Sequence, residues 1–277
     1  MITLGPAAIR IKIFLQILYL RRMYRTVYGA GNPGSTYFMM QKTKHGSKEE
    51  RFPICLARFS NMDRSAARSL IYSTLSLCYA CPGERAYASI AAGEWIKGVR
   101  EASRLLDENI FDDHLGAIEQ AISGIGEDEQ QAMAREYKRL FTDAFPRVIA
   151  PPYGSFYLEK SGLASVRATS EVLHFYHKAG FTLKEDLRDL PDHIAHELEF
   201  MGILASEEGQ AMGNEKIRLE ETQMNFLSRF ILPWVPAFCN TVVEHSHYSF
   251  YHHLGNLTKE FINFEKNYLG VPEELNF

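Results

Sequence analysis

The chain has 277 residues, 46% of them hydrophobic, and a formal net charge of −4. A chain of this length and composition can bury a full core, which excludes an intrinsically disordered protein. No apolar run reaches the roughly 20 residues of a membrane-spanning helix, because the run from Ile13 to Leu20 is short and contains Gln16. Four scattered cysteines do not make a disulfide framework, so a reducing cytoplasm is the expected compartment.

The charge is distributed unevenly along the chain. Residues 1–61 carry ten basic and two acidic residues, a net charge of +8; the other 20 basic and 32 acidic residues give −12 on residues 62–277. An acidic surface repels nucleic acid and anionic membranes and attracts cationic peptides. The body of the protein is therefore expected to bind a basic partner, without nucleic acid and without membrane contact.

Residues 1–61 are expected to lie outside the folded domain, as a basic extension that is disordered or comes from a start codon placed too far upstream. Met62 is the natural alternative start. Two other interpretations stay open for residues 11–28. They fit a basic amphipathic helix that anchors the chain to a membrane surface as an adaptor, or a secretory signal, although no clear small-residue cleavage site follows.

From residue 63 onward, the spacing of apolar residues predicts an all-α domain, a single helical bundle of about nine helices over residues 62–277. Gly93 and Gly98 lower the helix propensity of the second helix without ending it. No strand and no repeat are predicted. The expected helices are one capped by Asp63 and ended by Pro82-Gly83, then 84–106, 109–122, 127–145, 163–179, 191 to about 211, 215–232, 234–246 and 248–267.

Two internal breaks separate these helices. Residues 146–162 hold three prolines and two glycines, which remove backbone donors or favour turns, together with Tyr153, Phe156 and Tyr157. This Pro/aromatic-rich loop either covers the core or forms the wall of a peptide-binding groove. Residues 181–190 are a polar linker.

The most informative segment is 190–201, with the sequence LPDHIAHELEFM. Pro191 pre-sets φ for a first helical turn, and Asp192 is placed to accept hydrogen bonds from the free N–H groups of that turn. His193 and Glu197 lie four residues apart on one helix face, beside an apolar face. This pattern predicts the working centre of a binding protein.

A metal site is the main alternative for this segment. Metallopeptidase helices need two histidines four residues apart, and His193 and His196 are three apart. A metal-dependent hydrolase using His193, Glu197 and a third histidine stays open as an alternative. Cys78 and Cys81 form a single Cys-x-x-Cys pair, which favours buried structural thiols. With no nucleophile elbow and no phosphate-binding glycine loop, no catalytic residue, metal or cofactor is predicted.

Three segments resemble one known family. They are LPDHI-x-x-ELEFM at 190–201, PPYGSFYL at 151–158 after Leu140-Phe141, and FY-x-x-L-x-x-LT-x-x-F at 250–261. Together they are similar to the TorD/DmsD/NarJ chaperones, which assist the maturation of molybdenum-containing redox enzymes. The resemblance spans about residues 62–269 and implies a cytoplasmic all-helical chaperone, monomeric or a domain-swapped dimer, without catalysis or a cofactor.

The resemblance also implies a partner, the twin-arginine leader and the body of an apo-form molybdopterin enzyme, held back from export until its cofactor is inserted. Asp192 would pair with a basic leader side chain, and His193 would hydrogen-bond to the leader with Glu197 orienting it. Gly154 stands where the family often has an acidic residue, so a second charge contact is not expected there. The implied leader-binding residues are Asp192, His193, Pro191, Glu197, Tyr153 and Ser155.

Overall fold

The computed structural model describes residues 39–42, 63–80, 87, 90–106, 109, 111–143, 147–158, 166–184 and 189–273. Nearly all regular structure in these ranges is helical, which confirms the predicted all-α domain. The helices are α1 (Arg64–Tyr79), α2 (Glu94–Leu105), α3 (Asp112–Ile122), α4 (Glu127–Phe141), α5 (Gly154–Leu158), α6 (Val166–Lys178), α7 (Ile194–Glu208), α8 (Asn214–Phe226) with a π-helical turn (Leu227–Ile231), α9 (Val235–His245) and α10 (Ser249–Tyr268).

Helices α1 and α7 pack along each other at the centre of the domain. Helix α7 is buried on nearly all sides, including at three glutamates. The two backbones come close at Gly202, where an added Cβ would lie 3.1 Å from Ser73 Oγ and 3.2 Å from Tyr72 Cβ. Ser69 Oγ donates to the Gly202 carbonyl at 2.7 Å. A larger residue would crowd this crossing, so Gly202 allows the close approach that positions the helix carrying the site.

A buried ionic network links four helices at the far end of α7. Arg68 on α1 donates through Nε and Nη2 to Glu265 on α10, both at 2.7 Å, and through Nη1 to Glu208 on α7 at 2.6 Å. Its Nη2 also donates to Gln223 Oε1 on α8 at 2.7 Å. Burial opposes the charge, but Glu265 and Glu208 outweigh it and hold the pKa of Arg68 above its ordinary value. The network stabilises α7 from the end opposite the site.

Helix ends follow the sequence signals in most places. Asp63 caps α1, accepting from the Ala66 N–H at 2.8 Å, as predicted. The prediction of one continuous helix over 84–106 is wrong at Gly93, which has φ of +66° and precedes the start of α2. Because only glycine adopts this left-handed conformation without strain, the residue breaks the helix instead of lowering its propensity.

The prediction that the chain contains no strand is also wrong. Strand β1 (Met40–Lys42) pairs antiparallel with β2 (Phe181–Leu183), with Met40 opposite Leu183. Three-residue strands are too short to show alternation in the sequence. Strand β1 belongs to the segment that was expected to lie outside the domain, yet Met39 and Met40 are buried. Residues 11–28 and Met62 lie outside the described residues, and their interpretation stays a prediction.

The passage from α8 to α9 positions a central tryptophan. Helix α8 continues into the π-helical turn, in which the Leu232 N–H donates to the Leu227 carbonyl at 2.9 Å, and the turn ends just before Pro233, as predicted. Trp234 follows and is fully buried. Within the described part of the chain, no single helix has the length and apolarity to cross a membrane; only the pair Asn214–Ile231 and Val235–His245, bent by 52°, passes that test jointly.

Candidate functional site

The proline-rich loop and the turn before α7 lie side by side. Tyr153 and His193 form an isolated antiparallel bridge. The Gly154 N–H donates to the Asp192 carbonyl at 3.0 Å, and the Ile194 N–H donates to the Pro152 carbonyl at 2.9 Å. Two segments almost forty residues apart in sequence thus form one hydrogen-bonded unit, called here the loop–turn unit (residues 151–155 with 191–197). All six predicted site residues lie in it.

Asp192 holds the loop–turn unit together. Its side chain is 1% exposed, and Oδ2 accepts from the Ser155 N–H at 2.7 Å, in the first turn of α5. Oδ1 accepts from Thr169 Oγ1 on α6 at 3.0 Å. The prediction that Asp192 satisfies the N–H groups at the start of its own helix is wrong, because the carboxylate faces α5 and α6 instead of α7. Each of the two carboxylate oxygens of Asp192 therefore already accepts one hydrogen bond.

His193 is the residue that caps α7. Its backbone is extended, and its Nδ1 accepts from the Ala195 N–H at 3.1 Å, which assigns the ring proton to Nε2. Burial, and secondarily His196, hold the pKa of His193 well below its ordinary value. The Tyr153 ring packs edge-on against it, with centroids 5.0 Å apart. His193 is therefore a neutral imidazole with one N–H to donate.

Glu197 is oriented toward α9, away from His193. Its Oε2 accepts from Trp234 Nε1 at 3.1 Å, and only its backbone N–H reaches the His193 carbonyl. The expectation that Glu197 orients the His193 ring is therefore wrong. Burial, and next the charge of Asp192, raise the pKa of Glu197 well above its ordinary value. Burial thus favours the protonated, uncharged form of the side chain, which is less costly to bury than a carboxylate.

Buried polar atoms without a hydrogen-bond partner among the described residues concentrate here. Of six such atoms, four belong to this region: Ser155 Oγ, Tyr157 OH, His196 Nε2 and Glu197 Oε1. The Tyr157 ring lies 5.5 Å from that of Trp234, to which Glu197 is bonded. Buried polar groups are normally paired, and an unpaired one costs about 1–3 kcal/mol. The region thus offers neutral donors and acceptors to an incoming polar group.

Gly154 has a packing role in the loop–turn unit. A Cβ at this position would lie 2.9 Å from Trp234 Nε1 and 3.2 Å from two further indole atoms. Any side chain here must therefore move the indole ring. This contact explains why the acidic residue that the resemblance leads one to expect before Ser155 is missing.

Asp189 lies at the exposed rim of the unit and was missed by sequence reasoning. Tyr153 OH donates to its Oδ1 at 3.2 Å, and both residues are partly exposed. The neighbouring Leu190 side chain is 40% exposed, while its carbonyl accepts from the His193 N–H at 3.1 Å. Asp189 lies within the polar linker 181–190, where one aspartate among several charged residues forms no pattern that would identify it as a site residue. Only the hydrogen bond from Tyr153 shows that Asp189 lies beside the loop–turn unit.

The family is decided by comparison with known proteins. The model of the family described as Nitrate reductase delta subunit matches residues 100–240, just over half of the chain. The chain belongs to this family. It is the TorD/DmsD/NarJ group that the three segments resemble, and the matched residues include the whole loop–turn unit.

Individual relatives agree with the family. "Chaperone protein TorD" from Photobacterium profundum is 30% identical over 144 residues, which are 52% of this chain and 66% of the relative. The protein of the same name from Aliivibrio fischeri is 26% identical over 189 residues, 66% of this chain and 84% of the relative. The chain thus spans about two thirds of the length of the first relative. These relatives are named as chaperones, which confirms the prediction of a non-enzymatic protein at the level of the family.

One solved structure is similar in shape. It is a crystal structure of a provisionally assigned redox enzyme maturation protein from Archaeoglobus fulgidus, with 22% identity and a TM-score of 0.44. The similarity covers 75% of this chain and 98% of that one. A score below 0.5 is too low for this likeness to add to the family assignment.

The described residues of this TorD/DmsD/NarJ family member give little support to a metal site or to a reactive thiol. In the ranges that the structure describes, no three His, Cys, Asp or Glu side chains are grouped so that they could hold a metal ion. His193 and Glu197 point to different partners, so the pair that the hydrolase alternative needs is not formed. Cys78 and Cys239 are buried free thiols whose pKa burial raises to about 12, which agrees with the prediction of a buried thiol at Cys78. Cys55 and Cys81 lie outside the described residues.

Proposed function

We propose that this chain is a cytoplasmic chaperone that binds the twin-arginine leader and the apo-form of a molybdenum-containing oxidoreductase during cofactor insertion and before export. The observation that carries the proposal is the loop–turn unit, in which the Tyr153–His193 bridge joins the two segments with the strongest family resemblance. The named relatives are TorD chaperones, which supports a chaperone role. The acidic body, with −12 on residues 62–277, suits a cationic ligand.

In the loop–turn unit, an exposed charge lies at the rim and most of the buried polar groups inside are uncharged. Inside it, burial favours the neutral forms of His193 and Glu197, and the buried carboxylate of Asp192 accepts from donors on α5 and α6. At its rim, Asp189 presents a partly exposed carboxylate beside Tyr153. Burying an arginine costs more than leaving it at a solvated rim. We therefore assign the pairing with leader arginines to Asp189.

The remaining predicted residues take different roles in this proposal. Asp192 acts as a positioning residue that keeps the loop against the turn, and Pro191 sets the direction of the chain into that turn. His193 donates its Nε2–H to a carbonyl of the leader. Ser155 and Glu197 supply unpaired polar atoms that are buried in the free chain, so the loop–turn unit has to open before a leader group reaches them. The leader thus contacts the rim by charge and the interior by neutral hydrogen bonds.

A titration with a synthetic leader peptide tests the function. A peptide that carries the arginine pair should bind to the purified full chain, and a peptide with both arginines changed to lysine should bind more weakly, because lysine cannot form the two-pronged carboxylate contact. Purification of the tagged chain from its own cells should also bring down an oxidoreductase that contains molybdenum. Equal affinity for the leader and for a scrambled peptide of the same charge would contradict the proposal.

A further inference from the structure

Strand β1 lies in a groove between β2 and α7. Met39 is 3% exposed and Met40 is 0% exposed, so both faces of the strand are covered at its start. Met40 pairs with Leu183 in the antiparallel ladder, and the Lys184 N–H donates to the Met39 carbonyl at 2.8 Å. The groove therefore holds an extended backbone and two adjacent apolar side chains.

A buried carboxyl group binds the main chain immediately before this strand. Glu199 on α7 is fully buried, and its two oxygens accept from the Met39 N–H at 2.9 and 3.1 Å. Neither this contact nor the ladder with β2 depends on the identity of the side chains in β1. Any extended chain in which an apolar residue carries this N–H and a second apolar residue follows it can make the same bonds.

We propose that this groove is a strand-addition site for an apolar extended polypeptide, and that β1 is its in-chain occupant, which a client segment displaces. An unpaired sheet edge is a ready template for a strand from another chain. Strand β1 contains three residues, and 21 residues, 43–63, separate it from α1. Among the described residues, its main contacts are with β2 and α7. The identity of the client rests on the proposed chaperone function, whereas the site itself does not.

The groove selects its ligand by polarity. A charged side chain in place of Met40 would be buried without a partner, which is costly, so the ligand carries two consecutive apolar residues at these positions. Methionine is flexible and fills irregular space, which makes a pocket shaped around it tolerant of different apolar side chains. Such tolerance fits an exposed apolar stretch of an incompletely folded client. Because β1 competes from within the chain at an effective concentration on the order of 1 mM, only a tight or abundant client displaces it.

The test uses the chain's own strand as the probe. A fluorescent peptide with residues 37–43, YFMMQKT, is titrated into the full chain and into its Met40→Asp variant, and anisotropy is measured. The variant should bind the peptide at least about tenfold more tightly, because its own strand now carries a buried charge and leaves the groove. The Met40→Leu variant is the matched control and should bind as weakly as the unmodified chain. A peptide carrying the same Met40→Asp change should bind to none of them.

Two results would overturn the proposal. If the Met40→Asp chain is folded by circular dichroism and binds the peptide no better than the unmodified chain, β1 is a fixed part of the fold. If the variant does not fold, hydrogen exchange of the unmodified chain decides instead. The amide of Lys184 should exchange at least about a hundredfold faster than that of Leu198 in the centre of α7, because β1 opens locally. Equal protection of the two amides would equally rule out an exchangeable strand.

A competition experiment separates this inference from the proposed function. The twin-arginine leader peptide, which carries an apolar stretch, is added to the Met40→Asp chain with the labelled peptide bound. Release of the labelled peptide by the leader would support the groove as a client site. Failure to displace, when the leader binds to the unmodified chain, overturns the claim that the client takes this groove. Failure of the leader to bind anywhere, while the labelled peptide binds as expected, counts against the proposed function and leaves the strand-addition site standing.

Discussion

Asp192 accepts a hydrogen bond from the Ser155 N–H at 2.7 Å, across 37 residues of sequence. A charge-assisted bond of this length ties the first turn of α5 to the turn that starts α7. The same carboxylate takes a second donor, Thr169 Oγ1, from α6. One side chain therefore sets the relative position of three elements, and the geometry of the loop–turn unit depends on it.

Replacing Asp192 with alanine should destabilise the chain and open the loop–turn unit. The change leaves the buried Ser155 N–H without its acceptor, and the expected loss in the free energy of unfolding is about 2–3 kcal/mol. Urea denaturation followed by circular dichroism measures it. The Thr169→Val control removes only one neutral donor and should cost about 1 kcal/mol. An Asp192→Ala chain as stable as the unmodified one would show that the carboxylate does not hold the elements together.

Replacing Asp189 with asparagine should weaken leader binding while the fold stays intact. Its carboxylate is at the rim, and the loss of one exposed charge contact corresponds to about a fivefold lower affinity. Titration calorimetry at two salt concentrations measures it, and the salt dependence should become smaller in the variant. Glu244→Gln is the matched control, since it removes an exposed negative charge on α9, away from the site. Equal affinities of the two variants would remove Asp189 from the site.

The sequence predicted the helices better than their contacts. Apolar periodicity and local signals such as Asp63 and Pro233 act within one helical turn, so most helices were placed to within a few residues. Ser155, which donates to Asp192, and Trp234, which donates to Glu197, are each 37 residues away in sequence, and nothing local encodes these contacts. Strand β1 was missed for the same reason: its pairing partner lies about 140 residues further along the chain, and each strand has three residues.

The Arg68 network should be the most sensitive polar site in the core. Arg68→Met leaves Glu265 and Glu208 buried without their cation, which should lower the free energy of unfolding by about 3–5 kcal/mol. Chemical denaturation measures the loss. Arg218→Met is the control, because its pair with Glu215 is exposed and contributes at most about 1 kcal/mol. Similar losses in both variants would contradict a dominant role for the buried network.

The stability of the fold should decrease from pH 7 to pH 8 because of Glu199. Burial raises the pKa of Glu199 to about 8, so the folded chain holds a proton that the unfolded chain has already lost. The stabilisation is complete below about pH 4.5 and is lost as the pH rises through 8. Between pH 7 and 8 the free energy of unfolding should fall by about 1 kcal/mol.

Glu199→Gln isolates this effect, because it removes the titrating group and keeps the shape. The lowered pKa values of His193 and His196 have only a small effect of opposite sign above pH 7, and Glu197, whose pKa is also raised, is present in both chains. Urea midpoints measured at pH 7 and 8 should differ less in the variant than in the unmodified chain. An equal decrease of the urea midpoint in the variant and in the unmodified chain would assign the pH dependence to another group.

Ser155 and Gly154 are neighbours whose replacement by alanine should have opposite effects. Ser155→Ala removes a buried hydroxyl without a partner among the described residues, so stability should stay equal or rise by up to about 1 kcal/mol. Leader affinity falls if the hydroxyl meets the ligand as proposed.

Gly154→Ala places a methyl group 2.9 Å from Trp234 Nε1, which displaces the indole and strains its bond to Glu197. The expected cost is about 1–3 kcal/mol, as for other overpacked sites. Thermal unfolding and peptide titration on both variants distinguish a binding role from a packing role, and a large loss of stability in Ser155→Ala would show that the hydroxyl has a structural partner.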